Sequence, residues 1–174
     1  MAVVSLIVPR LMAEDYSVAD ETGLRQAILD ANAHGDAHST ITLTANITIT
    51  DTSAFAAATK AITIDTGVFT LAGADGSGVT DGDSLSFFGG PLVVTGNFTG
   101  GSGGASSSRG AGGTGLSLGN GTVENHGIVT GGAGGGNQRS TGNPRTAGVG
   151  GTGASLVDSS IVNYGTLRGG AGGQ

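Results

Sequence analysis

Hydrophobic and polar positions alternate most regularly in residues 40–50, which read TITLTANITIT. Aliphatic residues take every second position and mostly Thr stands between them, which is typical of a strand with one buried face. The alternation continues through Ala45-Asn46, so it predicts either one strand or two strands joined at that pair. Shorter apolar runs between turn residues predict further strands at 61–64, 68–71, 85–88 and 92–94. The pattern therefore indicates an all-β fold.

One helix is predicted ahead of these strands. Apolar residues recur at the spacing of a single helix face, at Leu24, Ala27, Ile28 and Ala31. Asp20 has the side chain of an N-cap, and Gly35 can provide the left-handed residue that ends a helix. The spacing predicts an amphipathic helix over residues 21–34.

The second half of the chain repeats itself. Residues 113–136 and 151–174 align without gaps, and twelve of the 24 aligned positions are identical. The element Gly-Gly-Ala/Ser-Gly-Gly starts at 100, 131 and 169, at spacings of 31 and 38 residues. Self-similarity of this kind predicts a solenoid. The unequal spacing predicts that each repeat carries one Gly-rich loop of variable length, at 100–115 and 131–153, and that these loops leave the stack on one side.

Matching Asn-x-Gly triplets at 125–127 and 163–165 predict the corners of these repeats. A sharp corner needs a positive φ angle, which Gly adopts without steric cost and Asn adopts more readily than other residues. We also expect the two Asn side chains to pair along the stack.

Composition narrows the function classes. Gly contributes 36 of 174 residues and aromatic residues only 4%, which favours thin stacked strands over a wide core. There is no Cys, which excludes disulfides, thiolate metal sites and a Cys nucleophile. The net charge is −6 and there is no basic stripe, so nucleic acid is not expected as a partner. The apolar run 2–8, followed by Ala13, is similar to the end of a signal peptide, so residues 1–13 are predicted to be a signal-peptide remnant.

Two motifs could suggest catalysis or metal binding, but each lacks the context it needs. Gly82-Asp83-Ser84-Leu85 spells the GDSL motif of an esterase family, without a good preceding strand or a later Asp-x-x-His. Asp75, Asp81 and Asp83 lie among Gly residues, and we interpret them as a solvated acidic loop rather than a Ca²⁺ site.

The remaining polar residues give one weak ligand site. His34 and His38 are separated by the predicted helix end, so we expect surface residues and not a metal pair. No catalytic residue, cofactor or metal is therefore predicted. The densest polar cluster of the second half is a possible ligand-contact loop formed by Asn137, Arg139, Asn143 and Arg145.

Residues 23–43, GLRQAILDANAHGDAHSTITL, resemble the capping helix and first strand of secreted right-handed β-helix proteins. The repeat of strand, Asn-x-Gly, strand and Gly-Gly-Ala-Gly-Gly resembles the passenger domains of bacterial autotransporter adhesins. The resemblance covers nearly the whole chain after residue 14. It implies a right-handed parallel β-helix, or solenoid, with an N-terminal amphipathic capping helix. The organisation implied is a helical cap with the first strands at 14–50 and solenoid rungs with Gly-rich loops at 51–174.

The resemblance also implies a function. It predicts a non-enzymatic segment on the bacterial cell surface or outer membrane, or secreted, that contributes to adhesion or aggregation. Its partners would be surface molecules of host or neighbouring cells, including glycans, or further copies of itself. Its membrane link would run only through a C-terminal barrel that this sequence does not contain. The alternative is the N-terminal part of a polysaccharide-acting β-helix enzyme, similar to pectate lyases, with its active site downstream.

Overall fold

The computed structural model describes residues 13–77, 80–105, 110–136 and 147–174. Within these ranges the chain forms twelve strands and one helix, in the order β1 (Glu14–Val18), α1 (Glu21–Ala33), β2 (His38–Leu43), β3 (Ile47–Ile49), β4 (Ala61–Gly73), β5 (Ser86–Phe88), β6 (Leu92–Thr99), β7 (Leu116–Gly119), β8 (Thr122–Asn125), β9 (Ile128–Thr130), β10 (Ala154–Val157), β11 (Ser160–Asn163) and β12 (Thr166–Arg168). The prediction of a β-rich chain with an N-terminal helix is confirmed.

Helix α1 begins as the sequence predicts and ends differently. The Asp20 side chain accepts a hydrogen bond of 2.7 Å from the Gly23 N–H, which caps the first turn. The predicted apolar face, from Leu24 to Ala31, is buried. At the other end the chain turns to extended backbone at His34, and Gly35 is not among the residues with positive φ. The prediction of a left-handed Gly35 is wrong because the extended His34 already ends the helix while its N–H bonds Asp30.

The first turn of α1 is held against the segment that follows β3. The Glu21 carboxylate accepts hydrogen bonds from the backbone N–H groups of Thr50 and Asp51 and from the Thr50 hydroxyl. It also pairs with Arg25 at 2.9 Å. Burial alone would raise the pKa of Glu21, but the hydrogen bonds from Thr50, Arg25 and Asp51 lower it overall. The ionised Glu21 therefore ties the helix to the strands.

All the strand pairs are parallel. One sheet runs β1-β2-β4-β6-β8-β11, with β3 beside β4, β9 beside β6, and β12 beside β9. A second sheet has the order β10-β7-β5. We call each successive set of strands a rung, because every strand pairs with the equivalent strand of the next set. The alternating residues 40–50 form two strands of one rung, β2 and β3. The strands predicted at 61–64 and 68–71 are both parts of the single strand β4. Between these parts, from Asp65 to Thr70, the pairing register of β4 with β6 shifts.

The sequence repeat predicts the register of the last two rungs. Leu116 pairs with Ala154 in the second sheet, and Val123 pairs with Ile161 in the first. Side chains one repeat apart meet at the same separation of 38 residues, as Thr114 and Thr152 do. Residues that align between 113–136 and 151–174 in the sequence are therefore the residues that pair in the sheets.

The core is a set of short columns of inward-facing aliphatic residues. Ile62 lies beside Leu92, which lies beside Val123, and Leu71 lies beside Phe98, which lies beside Val129. All of these side chains are buried. Burying one such side chain contributes about 1.5–3 kcal/mol, so the columns hold successive rungs together.

The Asn-x-Gly triplets do form corners, between β8 and β9 and between β11 and β12. The predicted reason for their Gly residues is wrong, because neither Gly127 nor Gly165 has a positive φ. A methyl group on Gly127 would overlap the carbonyl oxygen of Gly96 in the preceding rung, so Gly is required by close approach. In the last two rungs, Asn120 with φ 54° and Asp158 with φ 49° are left-handed, at the corner that precedes each triplet.

Candidate functional site

The Gly-rich loops pack against one another at one side of the strands. We call the described parts of these loops the glycine layer, which consists of residues 100–105, 110–115, 131–136, 147–153 and 169–174. Between β4 and β5, the described residues 74–77 and 80–84 lie against the start of this layer. Each segment either leaves the end of a strand or returns to the start of the next one. The layer is therefore an extension of the rungs and not a set of separate loops.

Backbone hydrogen bonds connect the glycine layer across successive rungs. One ladder alternates between segments that leave a strand and segments that return to the next strand. Each of its bonds has an N···O distance of 2.8 Å, and they run from Gly101 N to Asp83 O, Gly113 N to Gly101 O, Gly132 N to Gly113 O, Gly151 N to Gly132 O, and Gly170 N to Gly151 O. A second set joins equivalent segments, as Gly103 N to Ala133 O does at 2.8 Å. These bonds satisfy backbone groups that buried loops would otherwise leave unpaired.

Gly is needed here for space. In runs such as residues 131–135, Gly-Gly-Ala-Gly-Gly, a residue with a side chain follows each pair of glycines. This pattern has a period of three, which matches an extended helix with three residues per turn. A methyl group on Gly132 would overlap the carbonyl oxygen of Gly101, whereas Ala133 is exposed. Gly fills the two positions that face neighbouring segments, and the third position faces solvent.

Side chains of Asp75, Asp81 and Ser84 complete the hydrogen bonding at the first edge of the layer. Asp75 accepts a bond of 2.6 Å from the Ser102 N–H, and Asp81 accepts one of 2.6 Å from the Ala111 N–H. The interpretation of these carboxylates as a solvated loop missed this role, because the N–H groups they meet lie about 30 residues further along the chain. The only sequence signal is their place one repeat before a Gly run.

The GDSL motif has a structural role in this layer. The Ser84 hydroxyl accepts a hydrogen bond of 2.8 Å from the Thr114 N–H, and Leu85 is fully buried. The Asp83 carbonyl accepts the bond from Gly101. The Ser84 hydroxyl therefore caps a backbone N–H at the edge of this layer.

A second polar cluster joins β1 to the end of α1. The two ring nitrogens of His34 lie 2.8 Å from Glu14 and 3.1 Å from Asp36, whose side chain is only 3% exposed. Tyr16 lines the same shallow pocket, and desolvation together with a hydrogen bond to Glu14 raises its pKa. Contacts of both His34 ring nitrogens with carboxylates therefore link β1 to the segment after α1.

His34 and His38 do not come together, as the sequence predicts. The His38 ring bonds the Thr63 hydroxyl at 2.9 Å, away from His34. Across residues 13–77, 80–105, 110–136 and 147–174, no group of three His, Asp or Glu side chains could hold a metal ion. Over the same described ranges, no helix has both the length and the apolar character to cross a membrane. The predicted ligand-contact residues Asn137, Arg139, Asn143 and Arg145 lie outside the described residues.

Comparison with known proteins adds no relative. The chain matches no protein-family model, no curated protein and no solved structure.

Proposed function

We propose that this chain is a segment of a right-handed parallel β-helix that acts at the bacterial cell surface, outside the outer membrane or secreted, as an autotransporter-like passenger contributing to adhesion or aggregation. The observation that carries the proposal is the constant register of the last two rungs. Strands and glycine layer advance together by one repeat, as the pairs Asn125–Asn163 and Thr114–Thr152 illustrate. A stack built this way is an elongated scaffold that displays loops along one side.

Two further features support the proposal. Helix α1 packs on β1, β2 and β3. Its Asn32 side chain also hydrogen-bonds the Ala57 carbonyl and the Thr59 N–H of the next rung. These contacts are those expected of a helix that caps the end of a strand stack. The polar motifs that could suggest an enzyme, above all Ser84 with Asp83, are engaged in the structure of the glycine layer. A non-enzymatic scaffold is the function that this arrangement favours.

Surface display tests the proposal. A non-aggregating bacterial strain would display the full chain on a surface anchor, and its settling and its adhesion to host cells would be compared with those of the anchor alone. We expect faster settling or greater adhesion with the chain. The proposal is wrong if display leaves both unchanged, or if the purified chain releases reducing sugars from a polysaccharide panel, which would favour the enzyme alternative.

The fold has a separate test. Circular dichroism of the purified chain should show β structure as the main regular secondary structure, with little helix, and small-angle scattering should give a particle longer than a compact globule of this mass. A spectrum dominated by helix, or one without a β signal, would contradict the β-helix.

A further inference from the structure

A groove of about 270 Å³ runs across the outer face of the β10-β7-β5 sheet. Eight of the residues lining it come from these strands and the corner after β7: Ser86, Phe87, Phe88, Ser117, Leu118, Gly119, Asn120 and Val157. Its far wall is formed by Thr52 and Ala54 of the segment before β4. The groove thus crosses several rungs, and residues far apart in the sequence meet only because of the strand register.

The register creates the shape of this groove. Phe88 pairs with Gly119, and Gly119 pairs with Val157, so a position without a side chain lies between two apolar ones. The Phe88 ring leans over Gly119, and a Cβ there would lie 2.7 Å from the ring. Phe88 is 43% exposed and Val157 61% exposed, so both offer apolar surface to a ligand.

Polar side chains also line the groove. Ser86 pairs with Ser117 in the sheet, which places the two hydroxyls side by side on the outer face. Neither these hydroxyls nor the side chains of Thr52 and Asn120 hydrogen-bond another of the described residues. Each is free to bond a ligand, and the residues that line the groove carry no formal charge.

The chemistry of the groove selects one class of ligand. An exposed aromatic ring beside several hydroxyl and amide groups, with no charge, suits a neutral sugar, whose ring has apolar C–H faces and polar edges. An anionic sugar or a phosphate would call for Arg or Lys, and none lines the groove. An extended peptide adds to a free strand edge, whereas the middle strand β7 is paired on both sides.

We infer that this groove binds a neutral saccharide chain through the Phe88 ring and the Ser86, Ser117 and Asn120 side chains. The inference rests on the proposed adhesive function and deepens it by naming a ligand class and a place. It differs from the sequence-based expectation, which placed binding on the Gly-rich loops. The groove lies on the strand face, where the rungs hold its residues in fixed positions.

Titration of the purified full chain tests the inference. The probes are neutral tetrasaccharides of glucose, mannose, galactose and xylose, with an oligogalacturonate as the anionic comparison, and binding is measured by calorimetry. We expect millimolar or tighter binding of at least one neutral probe. Phe88→Ala should weaken it by roughly three- to tenfold, and Gly119→Ala should weaken it too by displacing the ring.

Tyr164→Ala is the matched control, because Tyr164 is an aromatic side chain, 68% exposed, on another face. It should leave binding unchanged.

The inference is overturned if no neutral probe binds, if oligogalacturonate binds more tightly, or if Tyr164→Ala weakens binding while Phe88→Ala does not. Ser117→Ala replaces Phe88→Ala if that variant unfolds, and unchanged binding in it would also count against the groove. If the displayed chain causes adhesion but the purified chain binds no saccharide, the inference about the groove is wrong and the proposed function stands. If the purified chain binds a saccharide but the displayed chain causes no adhesion, the proposed function is wrong and the inference about the groove stands.

Discussion

The side-chain amide of Asn125 donates a hydrogen bond of 2.7 Å to the side-chain oxygen of Asn163, the equivalent residue one repeat later. Asn125 is fully buried, and its oxygen accepts a bond of 3.0 Å from the Gly127 N–H. The amide also reaches the Thr166 carbonyl at 3.3 Å. One side chain therefore fixes the corner of its own rung and the position of the next.

Replacing Asn125 should destabilise the fold. Asn125→Ala leaves the Gly127 N–H and the Thr166 carbonyl without this partner, so we expect the free energy of unfolding to fall by about 1–3 kcal/mol. Asn163→Ala should cost less, because Asn163 is exposed and water can replace it. Urea unfolding followed by circular dichroism measures both. Thr122→Ala, an exposed change on the same strand, is the control, and equal effects of all three changes would contradict this role.

The glycine layer should tolerate change at only one position in three. Gly132→Ala places a methyl group against the Gly101 carbonyl, and we expect a loss of about 1–3 kcal/mol or more in the free energy of unfolding. Ala133→Ser, at the next position, points into solvent and should have little effect. Thermal unfolding of the two variants against the unchanged chain measures the difference. Equal midpoints would show that the layer is not packed as described.

The core columns predict a contrast between two Phe residues. Phe98 is fully buried and Phe88 is 43% exposed. Phe98→Ala should lower the free energy of unfolding by about 3–5 kcal/mol through a cavity between rungs. Phe88→Ala should cost far less, which keeps it usable as a binding variant. Urea midpoints decide this, and a larger loss for Phe88→Ala would be inconsistent with the side-chain positions.

The attachment of α1 should weaken in acid. The pKa of Glu21 is lowered from 4.5 in the folded state, so the unfolded chain takes up the proton more readily. The stabilisation is present above pH 4.5 and is lost as pH falls through the lowered pKa. Glu21→Gln should unfold more easily than the unchanged chain at neutral pH, and the gap should shrink in acid. Asp15→Asn, an exposed change on β1, should show no comparable gap, and a pH-independent gap for Glu21→Gln would refute the linkage.

Much of the strand arrangement was predictable because it depends on local patterns. The alternation of apolar and polar residues predicts which face of residues 40–50 is buried, and the sequence repeat predicts that residues 113–136 pair with residues 151–174. The partners of Asp75 and Asp81 were not predictable, because Gly runs have no side-chain pattern that reports their register. The groove was not predictable either, since Phe88 and Val157 line one groove only because of the strand order β10-β7-β5.

The constant register of the last rungs has a consequence for how such a gene can change. Because the strands pair at an offset set by the repeat, duplication of one repeat in the DNA would insert one more rung with its glycine segments already aligned. In the proposed β-helix, the added rung would lengthen the stack by about 4.8 Å, one strand spacing. Unequal recombination between copies is therefore a direct way to change the length of the proposed β-helix.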